Sequence, residues 1–221
     1  MSRFELIAFD IDGTLVHGPN GFTVWEVLND HFTGVPEVNR ERYARYKRGE
    51  LSYAEWVALD IEGWRDAGAT RETIVGALSP LRLIDGATET LQKLKADGCL
   101  LFAVTGTLDL MLETLFPDHP FDEVYANHIG FNDDGTIGHW RATPFDMDGK
   151  AKLLRALAMR HGVPLARTAF VGDSSNDVWI AREAGFTVAF NPASDELVEI
   201  ADVEVRSEDA RDLLPHLTGS S

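Results

Sequence analysis

The sequence predicts an α/β protein with a doubly wound parallel sheet and a small helical domain inserted after the first strand. Short apolar segments alternate with segments of helical periodicity, which is typical of a parallel sheet covered on both faces. One stretch, residues 16–83, breaks this alternation with helical segments and no convincing strand. We therefore expect an α/β core domain made of residues 1–15 and 84–221, and a helical cap made of residues 16–83.

The core segments follow one another in a regular order. The first strand, residues 4–9, is apolar and ends at Asp10. Further strands are predicted at residues 99–104, 123–129, 168–171, 186–190 and 203–205. Helices are predicted at residues 86–97, 108–116, 151–161, 178–184 and 209–217. Asp148 is expected to cap the helix at 151–161, and the pair Asp134–Gly135 predicts a small hairpin.

The predicted cap contains four helical segments, at residues 24–32, 40–48, 53–67 and 70–78. It is rich in aromatic side chains, namely Phe22, Trp25, Phe32, Tyr43, Tyr46, Tyr53, Trp56 and Trp64. We expect these rings to form the small core of the cap, and an aromatic substrate pocket is the alternative. Loops after strand ends carry function in α/β proteins, so a cap at this place would cover the site.

The composition excludes several classes of function. The chain has 221 residues with 36 acidic and 20 basic side chains, a formal net charge of −16. Such an excess of negative charge argues against nucleic acid or anionic lipid as a partner. No apolar run approaches the roughly 20 residues of a membrane span, and the N-terminus lacks a signal-peptide pattern. The single cysteine, Cys99, lies in an apolar run, so we expect a buried thiol and a cytoplasmic protein of undetermined oligomeric state.

Polar residues follow three of the predicted strands, and a lysine opens the helix before the last of these. They are Asp10 and Asp12, then Thr105 and Gly106, then Lys150, then Asp173, Asn176 and Asp177. Taken singly, acids in loops commonly cap helices or form turns, so the signal lies in the set. Because the carboxyl ends of parallel strands gather at one edge of the sheet, we expect these side chains to converge.

The spacing of the two acids after the first strand has a chemical reason. Asp10 and Asp12 are two residues apart in an extended segment, so they project to the same side. One carboxylate can attack phosphorus while the other, if protonated, gives its proton to the leaving oxygen. Carboxylates this close repel one another unless a hard cation such as Mg²⁺ lies between them. Lys150 and the Thr105 hydroxyl would hold phosphoryl oxygens.

These motifs, in this order, resemble those of one large family. Asp10-x-Asp12-Gly13-Thr14, Thr105-Gly106, Lys150 and Gly172-Asp173-x-x-Asn176-Asp177 are similar to the four motifs of the haloacid dehalogenase superfamily of phosphotransferases. Within that superfamily the chain most resembles the phosphoserine phosphatase branch. The resemblance implies a Rossmannoid core, an Mg²⁺ cofactor and a small phosphorylated substrate.

The resemblance also implies a role for each motif residue. Asp10 would be the nucleophile that becomes an aspartyl phosphate, and Asp12 the general acid and then the base that activates water. The Mg²⁺ would be held by Asp10, by the backbone carbonyl of Asp12 and by Asp173, with Asp177 in its outer shell. The phosphate would be positioned by Thr105, Gly106, Lys150 and Asn176.

Two positions differ from the phosphoserine phosphatase pattern. Pro19 stands where that branch has a glutamate for the substrate ammonium, and Asp60 stands where our alignment places an arginine for the substrate carboxylate. We therefore predict a phosphatase of similar mechanism with a different substrate. A phosphomutase or phosphotransferase of the same superfamily is the alternative. A non-catalytic signalling module with a phosphorylated aspartate is disfavoured, because that module is shorter and has no cap.

Overall fold

The computed structural model describes residues 3–219. Its strands are β1 (Leu6–Phe9), β2 (Val16–His17), β3 (Arg82–Leu83), β4 (Leu100–Leu108), β5 (Glu123–Phe131), β6 (Ile137–Arg141), β7 (Thr168–Gly172), β8 (Thr187–Phe190) and β9 (Val203–Val205). Its α-helices are α1 (Val24–Thr33), α2 (Val38–Lys47), α3 (Tyr53–Asp66), α4 (Arg71–Ala77), α5 (Ala87–Ala96), α6 (Asp109–Leu115), α7 (Asp148–His161), α8 (Val178–Ala181), α9 (Asp195–Ile200) and α10 (Leu214–Leu217).

Seven strands form the main sheet in the order β6-β5-β4-β1-β7-β8-β9. Every pairing is parallel except that of β5 with β6, which is the predicted hairpin. Along β1, Leu6 and Ala8 pack into one apolar layer, and Ile7 and Phe9 pack into the other. A strand covered on both faces has no polar positions, which is why β1 is continuously apolar. The predicted doubly wound α/β sheet is confirmed.

Helices α1 to α4 lie between the short strands β2 and β3, which pair antiparallel through Val16 with Leu83 and His17 with Arg82. We call residues 16–83 the helical insertion. Its two strands were not expected, since two-residue strands leave no periodic pattern in the sequence. Their places agree with the predicted boundaries of the cap; that this segment forms a separate domain stays a prediction.

Three elements of the core differ from expectation. Strand β4 continues to Leu108, past its predicted end at residue 104, and its register with β5 shifts between Val104 and Leu108. Helix α7 begins at Asp148, so this residue lies in the first turn and the preceding Met147 is the N-cap. An acidic side chain in a first turn still stabilises the helix through its dipole. The last predicted helix is divided into a 3₁₀ turn, Ala210–Leu213, and α10.

Two further expectations concern burial and membranes. The Cys99 thiol is buried immediately before β4, as its apolar surroundings predicted. Between residues 3 and 219, no helix is both long and apolar enough to cross a bilayer.

Candidate active site

The register of the central strands brings the predicted site residues to one edge of the sheet. Phe9, the last residue of β1, pairs with Ala103 on one side and with Val171 on the other. Asp10 follows at once, and its backbone N–H donates to the carbonyl of Val171, 2.9 Å away. The residues after β1 and β7 and those in the second half of β4 are therefore neighbours, as the sequence predicts.

A buried lysine connects the acids at this edge. The ammonium group of Lys150 donates to Oδ1 of Asp10 at 2.8 Å and to Oδ1 of Asp177 at 2.6 Å, and Oδ1 of Asp146 lies 4.0 Å away. Lys150 is completely buried. Burial by itself would lower the pKa of Lys150, but the opposing attraction of Asp10, Asp177 and Asp146 is stronger, and the net effect raises it. The lysine is therefore a permanent positive charge beneath the site.

The loop after β7 is held by the carboxylate of Asp177. Its Oδ2 accepts the backbone N–H groups of Asp173 and Ser174, each at 3.0 Å. Oδ1 of Asp173 in turn accepts the hydroxyl of Thr14 at 2.8 Å, which links this loop to the one after β1. Gly13 lies so close that a Cβ there would overlap the Asp173 carboxylate, so this position requires a glycine.

Asp12 lies just before the helical insertion and is hydrogen-bonded to its first helix. Its Oδ2 accepts the backbone N–H of Val24, the first residue of α1, at 2.9 Å. Burial raises the pKa of Asp12 to about 8, with further raising by Asp10 and Glu26 and opposition from the Val24 hydrogen bond. A carboxyl group with this pKa is largely protonated at neutral pH, which suits it to give a proton away.

Three buried carboxyl groups that could hold a cation are grouped around Asp10. Carboxylate oxygens of Asp10, Asp173 and Asp177 lie within 4.8 Å of one another, and all three residues are buried. Burial raises the pKa of Asp10 to about 7, and it raises that of Asp173 well above its ordinary value. One ammonium group does not balance this many acids. A set of oxygen donors with uncompensated negative charge fits Mg²⁺.

The second half of β4 forms another wall. Thr105 is fully buried, and its hydroxyl oxygen accepts the backbone N–H of Thr107 at 3.3 Å. The carbonyl of Gly106 accepts the indole N–H of Trp25 at 2.9 Å and the side-chain amide of Asn127 at 2.7 Å. A Cβ at Gly106 would overlap the carboxylate of Asp146, so a larger residue here would displace that carboxylate.

Asn176 lies in the 3₁₀ turn Ser175–Asp177 that follows β7. Its side-chain amide donates to Oδ1 of Asp146 at 3.1 Å, and its own oxygen accepts the hydroxyl of Ser174. The predicted phosphate-binding residues therefore lie around the site, with Lys150 below it and Thr105, Gly106 and Asn176 at its walls.

A cavity of about 310 Å³ separates these residues from the helical insertion. Its floor includes Asp10, Asp12, Thr105, Gly106, Asp146 and Asn176, and its roof includes Trp25, Glu26, Tyr43, Tyr53, Trp56 and Asp60. The expectation that the aromatic residues all form the core of the cap is therefore only partly right. Trp64 is fully buried in that way, whereas four of the eight rings line the cavity.

Of the two positions that differ from the phosphoserine phosphatase pattern, only one faces the cavity. Asp60 is completely buried and belongs to the cavity lining. Pro19 is exposed, in a 3₁₀ turn formed by Pro19–Gly21, and is not among the residues that line the cavity.

The model of one protein family, described as haloacid dehalogenase-like hydrolase, matches residues 4–185. The chain belongs to the haloacid dehalogenase-like hydrolase family. The predicted superfamily is thereby confirmed, on a match that spans the sheet edge, the helical insertion and all four motifs.

This hydrolase is similar to several phosphoserine phosphatases. It is 33% identical to phosphoserine phosphatase SerB2 of Mycobacterium tuberculosis over 201 residues, which is 91% of this chain and 47% of the relative. It is 27% identical to phosphoserine phosphatase of Methanocaldococcus jannaschii over 213 residues, 96% of this chain and 97% of the relative. The chain thus spans about half of the first relative and nearly all of the second.

A solved structure of a phosphoserine phosphatase is also similar to this chain. A phospho-aspartyl intermediate analogue of phosphoserine phosphatase superposes on this hydrolase with a TM-score of 0.77 at 26% identity, covering 97% of this chain and 99% of the other. These likenesses confirm the phosphoserine phosphatase-like branch and an enzyme of the phosphatase type. The identity of the substrate is a separate matter.

Two residues of this site were missed by sequence reasoning. Asp146 lies four residues before Lys150, and its Oδ1 lies 4.0 Å from the Lys150 ammonium group. Asn127 is a fully buried amide within β5, and it bridges the Gly106 carbonyl and the backbone N–H of Thr143 at 2.7 Å each. A polar residue inside an otherwise apolar strand was the available signal for Asn127.

Proposed function

We propose that the protein is an Mg²⁺-dependent phosphatase that hydrolyses a small phosphorylated metabolite through an aspartyl phosphate on Asp10. One observation carries the proposal. Asp10, fixed by the buried Lys150, and Asp12, whose pKa is raised to about 8, open on one cavity. The hydrogen bond from the Lys150 ammonium favours the ionised form of Asp10, which nucleophilic attack requires, whereas burial favours the protonated form of Asp12, which proton donation requires.

The reaction follows from these two side chains. A carboxylate oxygen of Asp10 attacks phosphorus, and the bond between phosphorus and the ester oxygen breaks. Asp12 gives its proton to the departing oxygen, so the product leaves as an alcohol. Asp12, now ionised, takes a proton from a water molecule that attacks the same phosphorus. The bond between phosphorus and Asp10 then breaks, which releases inorganic phosphate and restores both side chains.

The residues that would hold Mg²⁺ are Asp10, Asp173 and the backbone carbonyl of Asp12, with Asp177 behind them. The clustered, buried oxygen atoms support this assignment, as does the glycine at position 13 that leaves room for the Asp173 carboxylate. Bound there, the ion would neutralise carboxylate charge and polarise phosphoryl oxygens. Asp177 would act through the loop, because its carboxylate already binds Lys150 and two backbone N–H groups.

Thr105, Gly106, Lys150 and Asn176 would position the phosphoryl group. Lys150 contributes a fixed positive charge in a region without solvent, where charge stabilisation is strongest. The carbonyl of Gly106 accepts hydrogen bonds from Trp25 and Asn127, which fix the backbone at this residue. Several rigidly held donors around one phosphoryl group lower the barrier because they need no reorganisation.

We propose that the substrate is not phosphoserine, the compound after which the relatives reported above are named. The observation in favour is Asp60, a buried carboxylate in the cavity roof where our alignment expects an arginine. Asp60 is paired with Arg42, so it engages a cation that could otherwise have received the carboxylate of an amino acid.

The proposed function is tested by hydrolysis of p-nitrophenyl phosphate, with release of inorganic phosphate as the readout. We expect activity that disappears in EDTA, returns with Mg²⁺ and is abolished by Asp10→Asn. Asp118→Asn, an exposed aspartate, is the matched control and should retain activity. Turnover by Asp10→Asn at the wild-type rate, or full activity in EDTA, would overturn the mechanism.

A further inference from the structure

Asp146 is a buried acid of the cavity lining to which the proposed reaction gives no role. Its Oδ1 lies 4.0 Å from the ammonium group of Lys150, and its Oδ2 would overlap a Cβ placed at Gly106. Burial raises the pKa of the Tyr53 hydroxyl, and the charge of Asp146 raises it further, so this carboxylate is close to the cavity roof as well. A negative charge beside the phosphoryl group opposes its binding, and some other contact of Asp146 must offset that effect.

The side-chain amide of Asn176 provides such a contact, because it is held at both ends. Its Nδ2 donates to Oδ1 of Asp146 at 3.1 Å, and its own oxygen accepts the hydroxyl of Ser174. A carboxylate accepts hydrogen bonds and the hydroxyl here donates one, so the two partners fix which end of the amide carries the nitrogen. The amide cannot turn over without losing both hydrogen bonds.

The nitrogen of this amide has one hydrogen left for a ligand. An amide nitrogen carries two N–H groups, and Asp146 accepts one of them. Asn176 lines the cavity, and Nδ2 has no second acceptor among the residues that the structure describes. The second N–H group is therefore available to a phosphoryl oxygen, which is the role proposed above for Asn176.

The turn that carries Asp146 has a strained backbone. Met147 has φ +50° and ψ −126°, a conformation that residues with side chains rarely adopt. The N–H of Gly149 donates to the carbonyl of Asp146 at 2.8 Å, and a Cβ at Gly149 would overlap the carbonyl oxygen of Pro144. Strain of this kind persists where the surrounding structure imposes it, and it is concentrated at functional sites. The tight turn thus holds the Asp146 carboxylate in a defined place.

The buried lysine of the site does not depend on Asp146 for its position. Lys150 donates to Asp10 at 2.8 Å and to Asp177 at 2.6 Å, whereas Asp146 at 4.0 Å is beyond hydrogen-bond distance. Removal of the Asp146 side chain leaves both of these bonds in place. Among the groups proposed to position the phosphoryl group, Asn176 is the one that loses a hydrogen bond.

We propose that Asp146 is a positioning residue, which orients the amide of Asn176 so that an N–H group, and not the amide oxygen, meets the phosphoryl group. The inference rests on the proposed function, because it assigns a partner to Asn176 in the same site. Asp146 acts through Asn176 and takes no part in breaking or forming a bond to phosphorus.

The first test measures kcat/KM for p-nitrophenyl phosphate, with saturating Mg²⁺, in Asp146→Ala, in Asn176→Ala and in the variant with both changes. We expect each single change to lower kcat/KM at least about tenfold, and the double variant to match Asn176→Ala within about threefold, because Asp146 then has no amide to orient. Effects that multiply in the double variant would overturn the inference, as would wild-type kcat/KM in Asp146→Ala.

Two controls accompany this cycle. Asp148→Ala removes an exposed acid two residues further along the chain and should keep the wild-type kcat/KM. The same cycle is measured with Tyr53→Phe in place of Asn176→Ala. A stronger coupling of Asp146 to Tyr53 than to Asn176 would assign its role to the cavity roof and contradict the inference.

The second test separates hydrogen bonding from charge. Asp146→Asn keeps an oxygen that can accept from Asn176, so we expect kcat/KM within about threefold of wild type. Asp146→Leu has a similar size without an acceptor, and it should show the loss expected of Asp146→Ala. Equal losses in the Asn and Leu variants, each shown to be folded by circular dichroism, would contradict a role in orienting the amide.

The outcomes separate this inference from the proposed function. Hydrolysis by the wild-type enzyme, combined with independent effects of Asp146→Ala and Asn176→Ala, would reject the positioning role and leave the phosphatase intact. Absence of hydrolysis by the wild-type enzyme would reject the proposed function and the inference with it.

Discussion

The ammonium nitrogen of Lys150 lies 2.8 Å from Oδ1 of Asp10, and no part of Lys150 is exposed to solvent. The residue that we assign as nucleophile is thus fixed by a charge from inside the protein, on the side away from the cavity. The stability of the fold and the proposed reaction both depend on the Lys150–Asp10 ion pair, so a substitution of either residue affects both.

Replacing Lys150 by methionine leaves Asp10 and Asp177 buried without their counter-charge. We expect the free energy of unfolding to fall by about 3–5 kcal/mol, since loss of one partner of a buried pair strands the other. Urea denaturation measures the change. Lys152→Met is the control, because Lys152 is an exposed residue of the same helix, and it should change stability by less than about 1 kcal/mol. A similar small loss for Lys150→Met would show that the pair is not needed for folding.

Gly13→Ala places a methyl group against the carboxylate of Asp173. We expect the Mg²⁺ concentration for half-maximal activity to rise at least about tenfold, as the displaced carboxylate loses its place in the site. Gly135→Ala separates this effect from backbone strain, because Gly135 has a similar positive φ of +83° and no neighbour within 4 Å of a Cβ. The interpretation fails if both variants show the same Mg²⁺ dependence.

Asn127→Ala removes a side chain that joins β5, β4 and the loop before α7. We expect a loss of about 2–3 kcal/mol in the free energy of unfolding, because the backbone N–H of Thr143 is left without its partner. We also expect kcat to fall about tenfold, since Gly106 is no longer held in place. Asn132→Ala, at an exposed position, is the control for both measurements. Wild-type stability and kcat in Asn127→Ala would contradict this account.

The raised pKa values of the site acids predict how stability depends on pH in EDTA. Burial raises the pKa of Asp10 to about 7 and that of Asp12 to about 8, whereas an aspartate in an unfolded chain has a pKa near 4. The unfolded chain therefore binds fewer protons than the folded one between these values. The contribution of these two groups to the free energy of unfolding is fully present below about pH 4, and it is lost as the pH rises through about 7 to 8.

Urea denaturation in EDTA between about pH 5 and about pH 8 should thus give a free energy of unfolding that declines as the pH rises. Addition of Mg²⁺ should raise the melting temperature more at about pH 8 than at about pH 6, because ionised carboxylates bind it better. The double variant Asp10→Asn, Asp12→Asn should weaken both effects. A shift with Mg²⁺ that is equal at the two pH values would argue against a metal site at these carboxylates.

The strand ends could be predicted from the sequence because they are marked by abrupt changes in polarity. Asp10 follows six residues of mostly apolar sequence, and parallel pairing at Phe9 then fixes what lies beside it. The sequence is a weaker guide where position depends on packing between distant segments. Asp146 and Asn127 belong to no motif, and their partners are 30 and 21 residues away along the chain.

The aromatic side chains of the helical insertion illustrate the same difference. Periodicity in α3 identifies a face that is not exposed to water, but it does not distinguish contact with other helices from contact with a cavity. Trp64 and Trp56 lie in the same helix eight residues apart, yet one is part of the core and the other faces the site. Whether a ring of α3 packs in the core or lines the cavity depends on the position of α1 and of the strand ends, which local sequence does not encode.

The paired strands β2 and β3 have one more consequence. The helical insertion begins and ends at adjacent points, Val16 beside Leu83 and His17 beside Arg82, in a two-stranded sheet separate from the main one. A segment attached in this way can be exchanged for another of different length or composition without altering the order of strands in the sheet. Descendants of one phosphate-cleaving scaffold could therefore acquire new selectivity by replacing this segment alone, while the inherited acids and lysine stayed where they are.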